Sequence, residues 1–230
     1  LSLDSVITEY PDGATQVQQH LRGAEITLQT TATDSGPLQV DIALDTMWVD
    51  SLSSMTQAMA DSARDTHWSG VISADGHIFS LSSDRPSTFG EHFLTVFARL
   101  FPVLPESGAT RANSWQDSTS RAYQLLPALD AQESLTADYR AVAWEGRDST
   151  LALRIESAAD YQVEGTGSQF GQRMMLEGAG VATGHHVLGM DGLLVRADVS
   201  DSARLIITLP EVGQTVPLTV LGHYSLQRLP

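Results

Sequence analysis

The sequence predicts a mainly β protein: a curved antiparallel sheet, an open barrel or a sandwich, with one covering helix near its middle. Three observations point there. Long stretches alternate, as Leu38, Val40, Ile42 and Leu44 do against Gln39, Asp41, Ala43 and Asp45, which is the period of a strand with one face covered. Tight-turn pairs punctuate the alternation, Asp75-Gly76 and Asp191-Gly192 among them, because glycine takes positive φ freely in a hairpin turn. One stretch, 87–105, has helical spacing instead, with Phe89, Phe93, Val96, Phe97 and Leu100 on one wide apolar face.

Taken in order, residues 5–10 alternate weakly and end at the turn Pro11-Asp12-Gly13. A long strand pattern follows from Thr15 through Val17 and Leu21 to Leu28, with Gly23 expected to mark a bulge or a bend. After the turn 34–37 comes the strand of Val40 and Ile42, and then a polar, alanine-rich stretch, 53–65, that reads as a short helix. A hairpin over 68–82 precedes the central helix. That helix has a capping box at Thr88 and Glu91 and stops at Pro102 and Pro105. Trp115 opens the second β run. Its strands are expected at 139–144, 150–156, 169–178, 181–189, 193–200, 204–209 and 215–226. The halves 1–105 and 106–230 read as one continuous domain. Val71-x-x-x-Asp75-Gly76-x-Ile78 matches Val187-x-x-x-Asp191-Gly192-x-Leu194, as an internal duplication would, or as two hairpins sharing a common turn would.

Composition excludes several chemistries. The chain has no cysteine, which removes thiolate nucleophiles and thiolate-bound metals. All 13 basic residues are arginine, which removes Schiff-base lysines and the P-loop lysine. A formal charge of −15 opposes binding to nucleic acid and to anionic lipid, since both need basic patches. The first residue is Leu1, and we expect an upstream segment to be removed on export, giving an extracytoplasmic, periplasmic protein peripheral to the membrane.

No catalytic, cofactor or metal residue can be assigned. The nucleophile elbow is missing, because Thr166 and Phe170 flank Ser168 where glycines belong. His185 and His186 are adjacent, so on a strand they point to opposite faces and cannot share an ion. His20, His67, His77, His92 and His223 have no metal-binding spacing. Gly165-x-Gly167-x-x-x-Gly171 and Gly178-x-Gly180-x-x-x-Gly184 lack the dinucleotide fingerprint and are expected to mark bends in curved strands. The carboxylates, Asp41 and Asp45 included, read mostly as a solvated skin.

The Asp75-Gly76 hairpin, Leu100-Phe101-Pro102-Val103-Leu104-Pro105, Asn113-Ser114-Trp115, the glycine-rich strands over 165–184 and the Met190-Asp191-Gly192 hairpin resemble, in that order, uncharacterised exported bacterial proteins. The resemblance covers residues 68–200 and implies an exported β-rich fold with no known activity. In that family a G-D-x-W element stands where this chain has Asn113-Ser114-Trp115. The acidic, β-rich profile without a catalytic signature is also similar to that of the membrane-extrinsic subunits bracing reaction centres in phototrophic bacteria. The expected function is therefore a non-catalytic scaffold binding protein subunits of a membrane assembly, using arginines such as Arg111, Arg121 and Arg140. The alternative is a carrier enclosing an apolar ligand, and the third reading is a hydrolase without a sequence motif.

Overall fold

The structure, a computed structural model, describes residues 2–10, 13–32, 38–50, 60–61, 63–73, 78–85, 93, 96–105, 108–126, 129–146, 151–169 and 171–229. The strands are β1 (Ser2–Glu9), β2 (Thr15–Ala32), β3 (Leu38–Val49), β4 (His67–Ile72), β5 (Ile78–Ser83), β6 (Ser114–Leu126), β7 (Leu129–Glu145), β8 (Ala152–Gln169), β9 (Gln172–Gly189), β10 (Leu194–Leu209) and β11 (Gln214–Gln227). They form one 11-stranded sheet in the order β5-β4-β3-β2-β1-β11-β10-β9-β8-β7-β6, with every neighbouring pair antiparallel. The two halves meet where β1 pairs with β11, Val6 opposite Val220. The sheet is open, with β5 and β6 at its two edges.

The central helix lies against one face of the sheet and ties the halves together. Phe93 and residues 96–100 are helical, and the Phe101 amide donates to the Phe97 carbonyl at 3.3 Å. Phe97 packs with Val40, Ile42, Leu44, Met47 and Trp68 from the first half. Leu100, three residues on and therefore on the same helix face, packs with Tyr139, Leu153, Ile155, Leu188 and Val199 from the second. Trp68 and Phe93 stack at 4.6 Å between centroids, and Phe97 and Phe101 stack at 5.8 Å. Full burial of a side chain such as Phe97 stabilises by about 1.5–3 kcal/mol. The capping box at Thr88 and Glu91, the Asp75-Gly76 turn, Phe89 and most of the 53–65 stretch fall outside the described residues.

Several strands run further than the sequence pattern predicts. The expected pair 169–178 and 181–189 is one 18-residue strand, β9, and the pair 193–200 and 204–209 is the single strand β10. Glycine and Ser-Asp positions that resemble breaks are in-register ladder residues, Gly180 opposite Tyr161 and Asp201 opposite Gly222. The register shift in β2 comes between Glu25 and Ile26, two residues beyond Gly23. Gly23 lies opposite Trp48, and a Cβ there would collide with the Trp48 indole.

The alternation assigns the two faces of the second half. Leu129, Ala131, Ala137, Tyr139 and Ala141 of β7 are buried on the helix side, whereas Asp130, Gln132, Ser134, Thr136, Asp138 and Arg140 are exposed on the other. A transmembrane barrel turns its apolar residues outward and its polar ones inward. In β7 the uncovered face is polar, whereas Met175 and Val181 of β9, Ile206 of β10 and Leu221 of β11 are exposed apolar residues on that face.

Candidate functional site

A ladder of ionised groups crosses the covered face beneath the helix. Arg99 reaches down from the helix, its guanidinium 2.7 Å from Glu133 on β7 and 3.2 Å from Asp201 on β10. Glu133 binds Arg121 of β6 through its other oxygen at 2.7 Å. The Tyr161 hydroxyl donates to Asp201 at 2.5 Å, and the Arg99 guanidinium carbon sits 4.3 Å over the Tyr161 ring. The side chains of Arg99, Glu133 and Asp201 are 7%, 2% and 9% exposed, so solvent screens them little. Burial alone would lower the Arg99 pKa, but Glu133 and Asp201 outweigh it and raise it. Burial pushes Asp201 upward against the opposing pull of Arg99 and of the Tyr161 hydrogen bond. Further along the same face, Asp4 and Arg22 form a second ion pair, and burial followed by the Asp4 charge raises the pKa of Tyr224.

One histidine ties the end of the helix to the sheet. His186 is 1% exposed, its Nδ1 lies 3.0 Å from the Leu100 carbonyl, and its Nε2 lies 3.0 Å from Ser157 Oγ. A carbonyl can only accept, so Nδ1 carries the proton and Nε2 accepts from the Ser157 hydroxyl. Burial lowers the pKa of His186 to about 4, so the ring is neutral at pH 7. The tautomer is that of a serine–histidine nucleophile pair, yet a backbone carbonyl stands in place of the orienting acid. The pair lies under the helix with the imidazole shut off from solvent. As placed, it anchors the helix. A Cβ at Gly184 would lie 2.5 Å from Ser157 Oγ and 2.6 Å from His186 Nε2, so glycine is needed there for the pair to form.

On the opposite face β6–β10 carry an open trough of about 910 Å³. Its floor is made of small or uncharged side chains, Ser118, Ser134, Thr136, Gln162, Ala179 and Ser202, with Asp160, Val181 and Arg204 among them. Thr136, Asp160, Val181 and Ser202 stand directly opposite one another on successive strands. A row of short side chains across paired strands leaves a concavity where long ones would fill it.

Of the sequence-singled residues, His185 and His186 do lie on opposite faces, the first exposed and the second buried. Among the described residues no group of three His, Asp or Glu could hold a metal, and no helix is long and apolar enough to cross a membrane. Ser168 is exposed near the end of β8. Arg111 and Arg140 are exposed, and Arg121 is partly exposed and pairs with buried Glu133 at the covered face. Reading the carboxylates as mostly a solvated skin did not single out Glu133, Asp201 and Asp4, which are buried. The signal was present in the alternation. Glu133 falls in the series Leu129, Ala131, Leu135, Ala137, and Asp201 in the series Ala197, Val199, Ala203, Leu205. An ionisable residue on the apolar side of a period-two pattern predicts a buried partner.

The fold and its sites define a mainly β, open-sheet protein whose covered face is closed in part by its own helix. No family model matches the chain, and no curated protein does. Among solved structures, engineered variants of the Rh. blastica porin are similar over 98% of this chain and 98% of theirs, one at 10% identity with a TM-score of 0.30 and another at 8% with 0.29. TM-scores this low carry no inference about fold or function.

Proposed function

We propose that this protein is a non-catalytic, extracytoplasmic interaction subunit that docks on a larger membrane-associated assembly through the exposed face of β6–β10. One observation carries the reading. The apolar face is occupied by the chain's own helix through Phe97 and Leu100, while the concavity of about 910 Å³ lies on the polar face. A partner therefore meets hydroxyl and amide groups, Arg204 and Asp160 beside Ala179 and Val181, which suits a hydrogen-bonded protein interface with some apolar contact. The net charge of −15 favours a partner with a basic contact surface. The carrier reading needs the helix displaced from its apolar seat, and no observation on the molecule favours that. The finer expectation of a reaction-centre subunit gains no support from the fold.

Filling the trough tests the proposal. Ala179 is exposed on the floor, and Ala179→Trp should leave the melting temperature unchanged while abolishing co-purification of partner subunits from native membranes. Partners retained at wild-type level by that variant would place the interface elsewhere. A wild-type chain that co-purifies with no membrane protein would remove the scaffold reading itself.

A further inference from the structure

Apolar residues on the uncovered face gather at the middle of the sheet, where β1 pairs with β11 on one side and β2 on the other. Asp4 is buried and Leu3 exposed, so alternation turns Leu3, Ser5, Ile7 and Glu9 outward. Leu221 stands directly opposite Ser5, which makes Leu3 and Ile7 its diagonal neighbours across the pair. Leu21 stands opposite Leu3, and Val17 opposite Ile7. Five apolar side chains therefore surround one small hydroxyl and leave a hollow over Ser5. Trp48 of β3, exposed and lying over Gly23, extends the group beyond Leu21. Single exposed apolar residues are ordinary on a protein surface, whereas a contiguous group marks a contact.

The charge around this group has one sign. The outward charged residues of β1, β2, β3 and β11 are Glu9, Glu25, Asp41 and Asp45, and among the described residues no arginine joins them. Arg22 of β2 turns inward to Asp4. We propose that the hollow over Ser5 is a docking point for a partner protein that inserts one large apolar side chain flanked by arginine or lysine. This rests on the reading of the chain as an interaction subunit, and it adds to the trough a second contact of stated chemistry. Binding energy concentrates where an anchor fills a small pocket and neighbouring contacts exclude water. Charge selects the occupant. A second copy laid on these strands would set carboxylate against carboxylate, and anionic lipid would meet the same repulsion. A basic contact surface is attracted by those groups instead.

A defined probe tests this chemistry. Two short blocked peptides are compared, each with a central tryptophan, one flanked by arginine and the other by glutamate. In an NMR titration of the full chain, the arginine peptide should shift amide resonances of β1, β2 and β11 around Ser5. Its Kd should be at least about tenfold below that of the glutamate peptide. At about 1 M salt, where the Debye length is about 3 Å, the difference should narrow. Ser5→Trp fills the hollow and should weaken the arginine peptide at least about tenfold. Should that variant fail to fold, Leu221→Ser, at an exposed position, replaces it. Equal affinity for the two peptides, shifts centred elsewhere, or binding undiminished in the folded variant would overturn the proposal. So would binding to phosphatidylcholine vesicles that Leu221→Ser abolishes, because the hollow would then meet lipid. Native membranes separate this inference from the reading beneath it. Partners lost with Ala179→Trp but kept with Ser5→Trp would remove the Ser5 contact and leave the interaction subunit standing.

Discussion

Arg99 is the residue on which the buried electrostatics turn. It brings one positive charge to two buried carboxylates, Glu133 and Asp201, and stacks on Tyr161. A buried ion network adds little net stability over a well-packed apolar equivalent, but removing one member leaves charge uncompensated. Arg99→Ala should therefore lower the unfolding free energy by about 3–5 kcal/mol, measured by urea titration at pH 7. An unchanged midpoint would mean that the ladder is solvated. His186 makes a second prediction, with a definite sign. Its folded pKa, about 4, lies below the ordinary value of 6.5, so the unfolded chain takes up the proton first as pH falls. The stability due to neutral His186 is complete above pH 6.5 and declines between 6.5 and about 4, with a limiting slope of about 1.4 kcal/mol per pH unit. His186→Gln can still donate to the Leu100 carbonyl, and it should flatten that part of the stability profile relative to the parent. Parallel profiles for the two proteins would contradict the assigned burial of the imidazole.

At the scale of elements, the helix holds the open sheet together, because its apolar face touches both halves of a sheet that has no other covering element among the described residues. Phe97→Ala removes the ring buried among Val40, Ile42, Leu44 and Trp68, and the loss should be about 3–5 kcal/mol by chemical denaturation. No change would show the helix face to be solvent-exposed. The sequence made this element legible, since the spacing of Phe93, Phe97 and Leu100 is helical and the side chains it places inward are the ones found packed. Strand lengths were less legible. Gly178 and Gly180 fall where the one-dimensional pattern divides two strands, but Gly180 makes room for the Tyr161 ring on the neighbouring strand, as Gly184 does for His186 and Ser157. Cross-strand demand of this kind depends on register, which no local pattern encodes. The ladder was hidden for the same reason: Arg99, Arg121, Glu133 and Asp201 are far apart in sequence and meet only when β6, β7 and β10 are aligned beneath the helix.

For the whole molecule, the distribution of covered and uncovered surface separates the candidate functions. A carrier presents an apolar cavity to its ligand. In this protein the apolar surface under the helix is consumed by Phe97, Leu100 and the aromatic stack, and the ladder and His186 fasten the helix in place. The uncovered surface is indented across β6–β10 and mixes polar residues with exposed Met175, Val181 and Ile206, and an acidic chain of this charge is repelled by anionic lipid. Under the proposed function, the partner contact lies on the outside of the sheet. Native mass spectrometry of the chain, purified from its natural compartment without detergent, tests that claim most directly. The account predicts peaks at the bare mass of 24.8 kDa or its multiples, with no bound apolar molecule. A stoichiometric lipid or other hydrophobic ligand, retained through the measurement, would contradict it.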